Sequence, residues 1–72
     1  MTRLPVLSGK EIVKVLTRIG YFEVRQRGSH IRLHCVDRQP VTVPNYHSVS
    51  RGLLTKILRE ANISPSDFME LL

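Results

Sequence analysis

The sequence predicts an α+β fold in which helices cover one face of a small three-stranded antiparallel sheet, in the order α-β-β-β-α with a short helix after it. Three observations predict it. A capped apolar stripe with helical spacing runs from Ser8 to Gly20, a period of two takes over from Tyr21 to Val43, and helical spacing returns from Leu53 to Ala61. A sheet hemmed by two such helices hides one face and leaves the other wet.

Ser8-Gly9-Lys10-Glu11 is a capping box: the Ser8 hydroxyl can accept from the Glu11 amide while the Glu11 carboxylate reaches back. Ile12, Val15, Leu16 and Ile19 follow at i, i+3, i+4 and i+7, and Gly20 supplies a left-handed residue to end the helix. In the next segment Phe22, Val24 and Gln26 alternate with Glu23, Arg25 and Arg27, which reads as a strand. Gly28-Ser29 forms a tight hairpin connection, after which His30, Arg32 and His34 alternate with Ile31, Leu33 and Cys35. A turn over 36–40 leads to a third strand, Val41-Thr42-Val43, halted by Pro44. Leu53, Leu54, Ile57, Leu58 and Ala61 make the second helix, capped by Ser48 or Ser50 and ending near Asn62. Ser64-Pro65-Ser66-Asp67 starts a short third helix, Pro65 to Leu71. Alternation assigns Phe22, Val24, Ile31, Leu33, Cys35, Val41 and Val43 to the covered face. Arg25, His30, Arg32, His34 and Thr42 fall on the displayed face.

Size and charge narrow the function. A chain of 72 residues, 42% hydrophobic and 24% charged, is expected to be one domain spanning 1–72. A fold this short buries only about 60% of its unfolded surface, so a large enclosed active site is excluded. The single cysteine excludes an internal disulfide, and no zinc-finger spacing is present. Without a signal-peptide run in residues 1–7 or any membrane-length apolar stretch, the expectation is a soluble cytoplasmic protein with no membrane partner. The net charge of +5 points to an anionic partner, with nucleic acid first. Seven bases (Arg25, Arg27, Arg32, Arg38, Arg51, Lys56 and Arg59) face only Asp37 between Val24 and Arg59. Tyr21 is the one aromatic expected beside these arginines, which gives base stacking weak support.

Histidine is the side chain that titrates near neutrality. His30 and His34 lie about 13 Å apart along one strand face, too far to share a metal ion or one phosphate. His47 lies in the loop before the second helix, where it can approach the sheet or cap the helix. His30 directly follows Gly28 and Ser29, so its imidazole emerges at a glycine turn that a bulky backbone can approach, with Arg32 two residues along. The plain alternative is an exposed strand histidine. No Ser-His-Asp set, Cys-His pair or carboxylate dyad competes with it.

Ser8-Gly9-Lys10-Glu11, Ile19-Gly20-Tyr21, Gln26-Arg27-Gly28-Ser29-His30, Val43-Pro44, Arg51-Gly52 with Leu54, and Ile57-Leu58-Arg59 with Ala61 resemble, in order, the HicA (YcfA-like) toxins of toxin–antitoxin modules. Leu53 stands where that family often has Thr, and Asn62 where it often has Gly. The resemblance implies a double-stranded-RNA-binding-domain-like fold and metal-independent, cofactor-free cleavage of mRNA. It also implies a catalytic histidine at His30 and neutralisation by a HicB-like antitoxin. Lys10, Arg25, Arg27 and Arg32 are the candidates for holding the phosphate, with Gly28, Ser29 and nearby amides as donors. The alternative from another class is a non-catalytic double-stranded-RNA-binding module with the same architecture. A DNA-binding regulator is disfavoured, since no helix-turn-helix pair with a basic second helix is present.

Overall fold

The computed structural model describes residues 3–72; Met1 and Thr2, where the segment read for a signal peptide begins, lie outside it. The elements follow the expected order: α1 (Gly9–Thr17), β1 (Phe22–Arg27), β2 (His30–Cys35), β3 (Arg38–Pro44), α2 (Arg51–Ala61) and α3 (Pro65–Leu71). The three strands form one antiparallel sheet in the order β1-β2-β3.

Each helix begins where its cap dictates. Ser8 and Glu11 form both bonds of the capping box, at 3.2 Å and 3.0 Å. The Glu11 carboxylate accepts from the Ser8 amide, and this bond, with a smaller contribution from the Ser8 hydroxyl, holds the Glu11 carboxyl below its ordinary pKa. Ser50, not Ser48, caps α2 by accepting from the Leu53 amide at 3.2 Å, so the Leu53 side chain is free to pack half-buried against the core. Ser64 does the same for α3, with Pro65 in its first turn. Asn62 ends α2 in the left-handed region at φ 56°, a conformation that asparagine tolerates better than most residues.

Ile12, Val15 and Leu16 of α1 and Leu54, Ile57, Leu58 and Ala61 of α2 pack with Ile31, Leu33, Val41 and Val43 of the sheet. Phe68 of α3 is fully buried in the same cluster, and the Arg18 guanidinium donates to the Leu71 carbonyl, tying α3 to the end of α1. Leu4, Leu7 and Val49 close the core, and Leu7 bridges Val49.

Two expectations about the strands are corrected. Phe22 and Val24 are not in the core: all six residues of β1 are exposed, with Phe22 at 51% and Val24 at 42%. Both helices pack against β3, so β1 projects beyond their cover. A bulge at Val24 also breaks the alternation, because Glu23 pairs with Leu33 but Arg25 pairs with Arg32. Phe22, opposite His34, therefore shares the open face with Arg25 rather than opposing it. The second correction concerns the 36–40 turn, which is only Val36-Asp37. β3 starts at Arg38, and an irregularity opposite His34 absorbs Gln39 and Pro40.

Tyr21 is buried in the core instead of being displayed, and its hydroxyl donates to the Gln39 carbonyl at 2.7 Å. Burial pushes the Tyr21 phenol above its ordinary value, and the nearby Cys35 adds to the shift while Arg38 opposes it. The neutral phenol is thus the form the fold prefers, so its contribution is present below the ordinary tyrosine range and is lost as pH rises through the raised value. Tyr21→Phe should cost about 1 kcal/mol near neutrality and should flatten the alkaline fall in stability. Urea melts across the alkaline range check this, and an equally steep fall in the variant would refute it.

Gly9 answers to a close approach. A Cβ there would lie 2.0 Å from the Pro44 carbonyl oxygen and 2.9 Å from Asn45 Cα, and the Gly9 amide donates to the Tyr46 carbonyl at 2.9 Å. The start of α1 is thereby pressed against the end of β3. Gly9→Ala should destabilise the fold by about 1–3 kcal/mol through overpacking. The measurement is the urea midpoint, which an α1 able to slide off Pro44 would leave unchanged.

Candidate functional site

The Gly28-Ser29 turn sets the site. Gly28 has φ +55° and is the turn residue in that region, which matches a II′-type connection with glycine at its first central position. A Cβ on Gly28 would meet nothing within 4 Å, so conformation and not crowding selects the glycine, and the apex is open to solvent. The Gln26 side-chain amide donates to the Gly28 carbonyl at 3.0 Å, and the Asn45 amide donates to the Ser29 carbonyl. The turn is thus braced from its own strand and from the segment leaving β3.

Pairing then places side chains in rungs across β1 and β2. Arg27 is opposite His30, Arg25 is opposite Arg32, and Phe22 is opposite His34. Directly paired residues point to the same side, and this side is the one away from the core residues Ile31 and Leu33. His30, Arg25 and Arg27 are exposed, while Arg32 is half-buried and donates to Thr42 Oγ1 across β3 at 2.9 Å. A shallow groove continues from Arg32, Pro40 and Thr42 over the β3 edge to Lys56 and Glu60 of α2. The His34 and Phe22 rings meet edge to face, with centroids 6.4 Å apart and planes at 63°.

Of the predicted site residues, Arg25, Arg27, His30 and Arg32 come together on this face, and Gly28 and Ser29 form its rim. Lys10 does not join the ladder. It lines a neighbouring groove with Ser8, Glu11, Asn45, Tyr46 and His47, connected to the turn through Asn45. His47 is exposed there, and Ser50 takes the capping role.

The basic residues are also of two kinds, which sequence could not sort. Arg38 donates to the carbonyls of Ala61 and Asn62 at 2.8 Å and 3.0 Å, closing the C-terminus of α2, and Arg51 Nε donates to the Leu4 carbonyl at 2.6 Å. These two guanidiniums serve the fold. Arg25 and Arg27 make no such bond among the described residues, and they remain available to an anion. Among the described residues no three His, Cys, Asp or Glu side chains cluster.

Phe22 is the residue on this face that sequence reasoning placed elsewhere. Alternation by itself puts Phe22 opposite to Arg25 and Arg27 and carries no signal for the bulge at Val24 that brings it to their side.

Fold and face together define a small α+β domain whose open sheet surface is cationic, with an imidazole at its rim. The chain belongs to the HicA toxin family of bacterial toxin–antitoxin systems, which it matches over residues 9–63. That span runs from the start of α1 through the end of α2, so the turn and all three rungs lie inside it. The fold is similar to a solved structure described as a toxin–antitoxin complex from Streptococcus pneumoniae, at TM-score 0.71 and 28% identity, covering 79% of this chain and 98% of that one. A comparison with curated proteins finds no match. Among the described residues no helix is long and apolar enough to cross a membrane.

Holding Arg25 directly opposite Arg32 has an energetic consequence, because like charges in such a pair destabilise a sheet. Arg25→Gln should therefore stabilise the free protein by about 0.2–1 kcal/mol, with the gain shrinking as salt rises. Thermal melts at low and high ionic strength test this; a variant no more stable than the parent at low salt would refute it.

Proposed function

We propose that this HicA-family chain is a metal-independent endoribonuclease that cuts mRNA, with His30 as its general acid–base. The observation that carries the reading is the exposed imidazole at an open glycine turn, with guanidiniums on its own rung and the next.

RNA carries its nucleophile within the strand, so a small open surface can suffice. The 2′-oxygen attacks the adjacent phosphorus as its proton passes to His30, and the bond from phosphorus to the 5′-oxygen breaks. The leaving oxygen then takes a proton from the imidazolium, which leaves a cyclic phosphate and a 5′-hydroxyl. Arg25, Arg27 and Arg32 offset the charge that grows on the phosphorane, and Ser29 and the turn amides are further donors. Lys10, on the adjoining groove, holds a more distant phosphate. Base selection is slight, because discrimination requires shaped pockets.

An indiscriminate ribonuclease harms its host unless it is covered. A HicB-like antitoxin that seats acidic groups against Arg25 and Arg27 and buries His30 would fit this surface. The family match and the similarity to a toxin–antitoxin complex support such a partner. The alternative of a duplex-binding module is weakened by α2, whose first residue, Arg51, is committed to the Leu4 carbonyl.

His30→Ala should lower the cleavage rate of single-stranded RNA by about 10²–10⁴-fold while melting like the parent. RNA with 2′-deoxy at the scissile nucleotide should resist the parent enzyme. Cleavage of that substrate at the normal rate, or full activity in His30→Ala, rejects the mechanism, whereas a binder would show no cleavage to lose.

A further inference from the structure

The bulge at Val24 turns an aromatic ring onto a face that is otherwise cationic. Phe22 is 51% exposed, stands opposite His34, and lies on the same side as Arg25, Arg27, His30 and Arg32. Isolated exposed hydrophobic residues are ordinary. This one is distinguished by its company: four cationic or imidazole side chains on the same ladder and a ring held edge to face by His34.

From this juxtaposition we infer that Phe22, braced by His34, is a stacking platform for a nucleobase, and that the RNA on this face is single-stranded there. The inference rests on the ribonuclease reading only in taking His30 as the point of cleavage. Successive rungs are two residues apart, about 6.6 Å along the strand, comparable to the reach of one extended nucleotide. A phosphate at the His30–Arg27 rung puts the next one between Arg25 and Arg32, and the base beyond it falls on Phe22. Pairing of Arg25 with Arg32, unfavourable in the free protein, becomes favourable once a phosphate sits between them. An A-form duplex cannot use the platform, because its bases are stacked on each other and inaccessible to a flat surface. An unpaired strand can, since every base has a π-face and stacking is tolerant of sequence. Substrate choice would then rest on strandedness, not on base identity.

Binding separates this from catalysis. A short 2′-O-methyl oligoadenylate lacks the nucleophile, so its affinity can be measured without cleavage. Phe22→Ala should weaken it by roughly 5- to 150-fold, while affinity for the matching 2′-O-methyl duplex and the melting temperature stay unchanged. Val24→Ala, an exposed bulge residue on the same strand, should change neither affinity. The chain has no tryptophan, so Phe22→Trp supplies a single fluorescent ring. It should retain binding, and its emission should be quenched by the single strand but not by the duplex. Unchanged single-strand affinity in Phe22→Ala, equal loss for strand and duplex, or indole emission in Phe22→Trp that does not respond to the single strand overturns the inference. Phe22-dependent binding in a protein that cuts no RNA would instead sink the ribonuclease reading and leave the platform standing.

Discussion

Register between β1 and β2 governs what this surface can do, because a slip of one residue carries every side chain to the opposite face. The two-residue turn at Gly28-Ser29 sets Arg27 against His30, and the ladder from there to Arg25–Arg32 follows without further choice. The bulge at Val24 then resets the count, so that Phe22 arrives on the open side. A glycine with φ +55° at the apex and an asparagine amide bonded to Ser29 keep the turn in place. If that turn had one more residue, His30 and Arg27 would no longer share a rung.

The sheet is covered unequally, and the candidate site lies where cover is absent. Both helices pack on β3, so the inner face of β2 and β3 supplies the core while β1 extends past it. An edge strand this exposed is a liability, since its unpaired backbone can template pairing with another chain. Arg25, Arg27 and the bulge oppose such pairing, because a second copy would bring cations against cations. The same features that discourage self-association make this surface cationic, and their cost is repulsion within the free protein.

Basic residues in a small domain are not interchangeable. Arg18, Arg38 and Arg51 each donate to a backbone carbonyl far away in sequence, joining α1 to α3, β3 to the end of α2, and α2 to the N-terminal segment. With 72 residues and a thin core, such ties substitute for the further packing that a larger protein would have. Of the basic residues left over, Arg25 and Arg27 lie on β1, and Arg32 stands opposite Arg25 on β2.

Local chemistry was legible in the chain. Ser8 with Glu11, Ser64 with Pro65, the positive-φ residues Gly20 and Asn62, the stripes of α1 and α2, and the Gly28-Ser29 hairpin all depend on residues within a turn or two of one another, and short-range sterics and hydrogen bonds decide them. The face carrying His30, Arg32 and His34 was legible for the same reason, since β2 alternates without interruption. What only the tertiary structure decided was the fate of residues whose environment comes from distant parts of the chain. Phe22 and Val24 read as core because they are apolar and alternate, but the helices stop short of β1 and a bulge shifts the pairing. Tyr21 reads as displayed, yet it lies under the packed helices with its hydroxyl on Gln39. Arg38 and Arg51 read as free charge, but they find carbonyls more than twenty residues away. Alternation and capping are properties of neighbours, whereas cover and partnership depend on how far each helix reaches across the sheet.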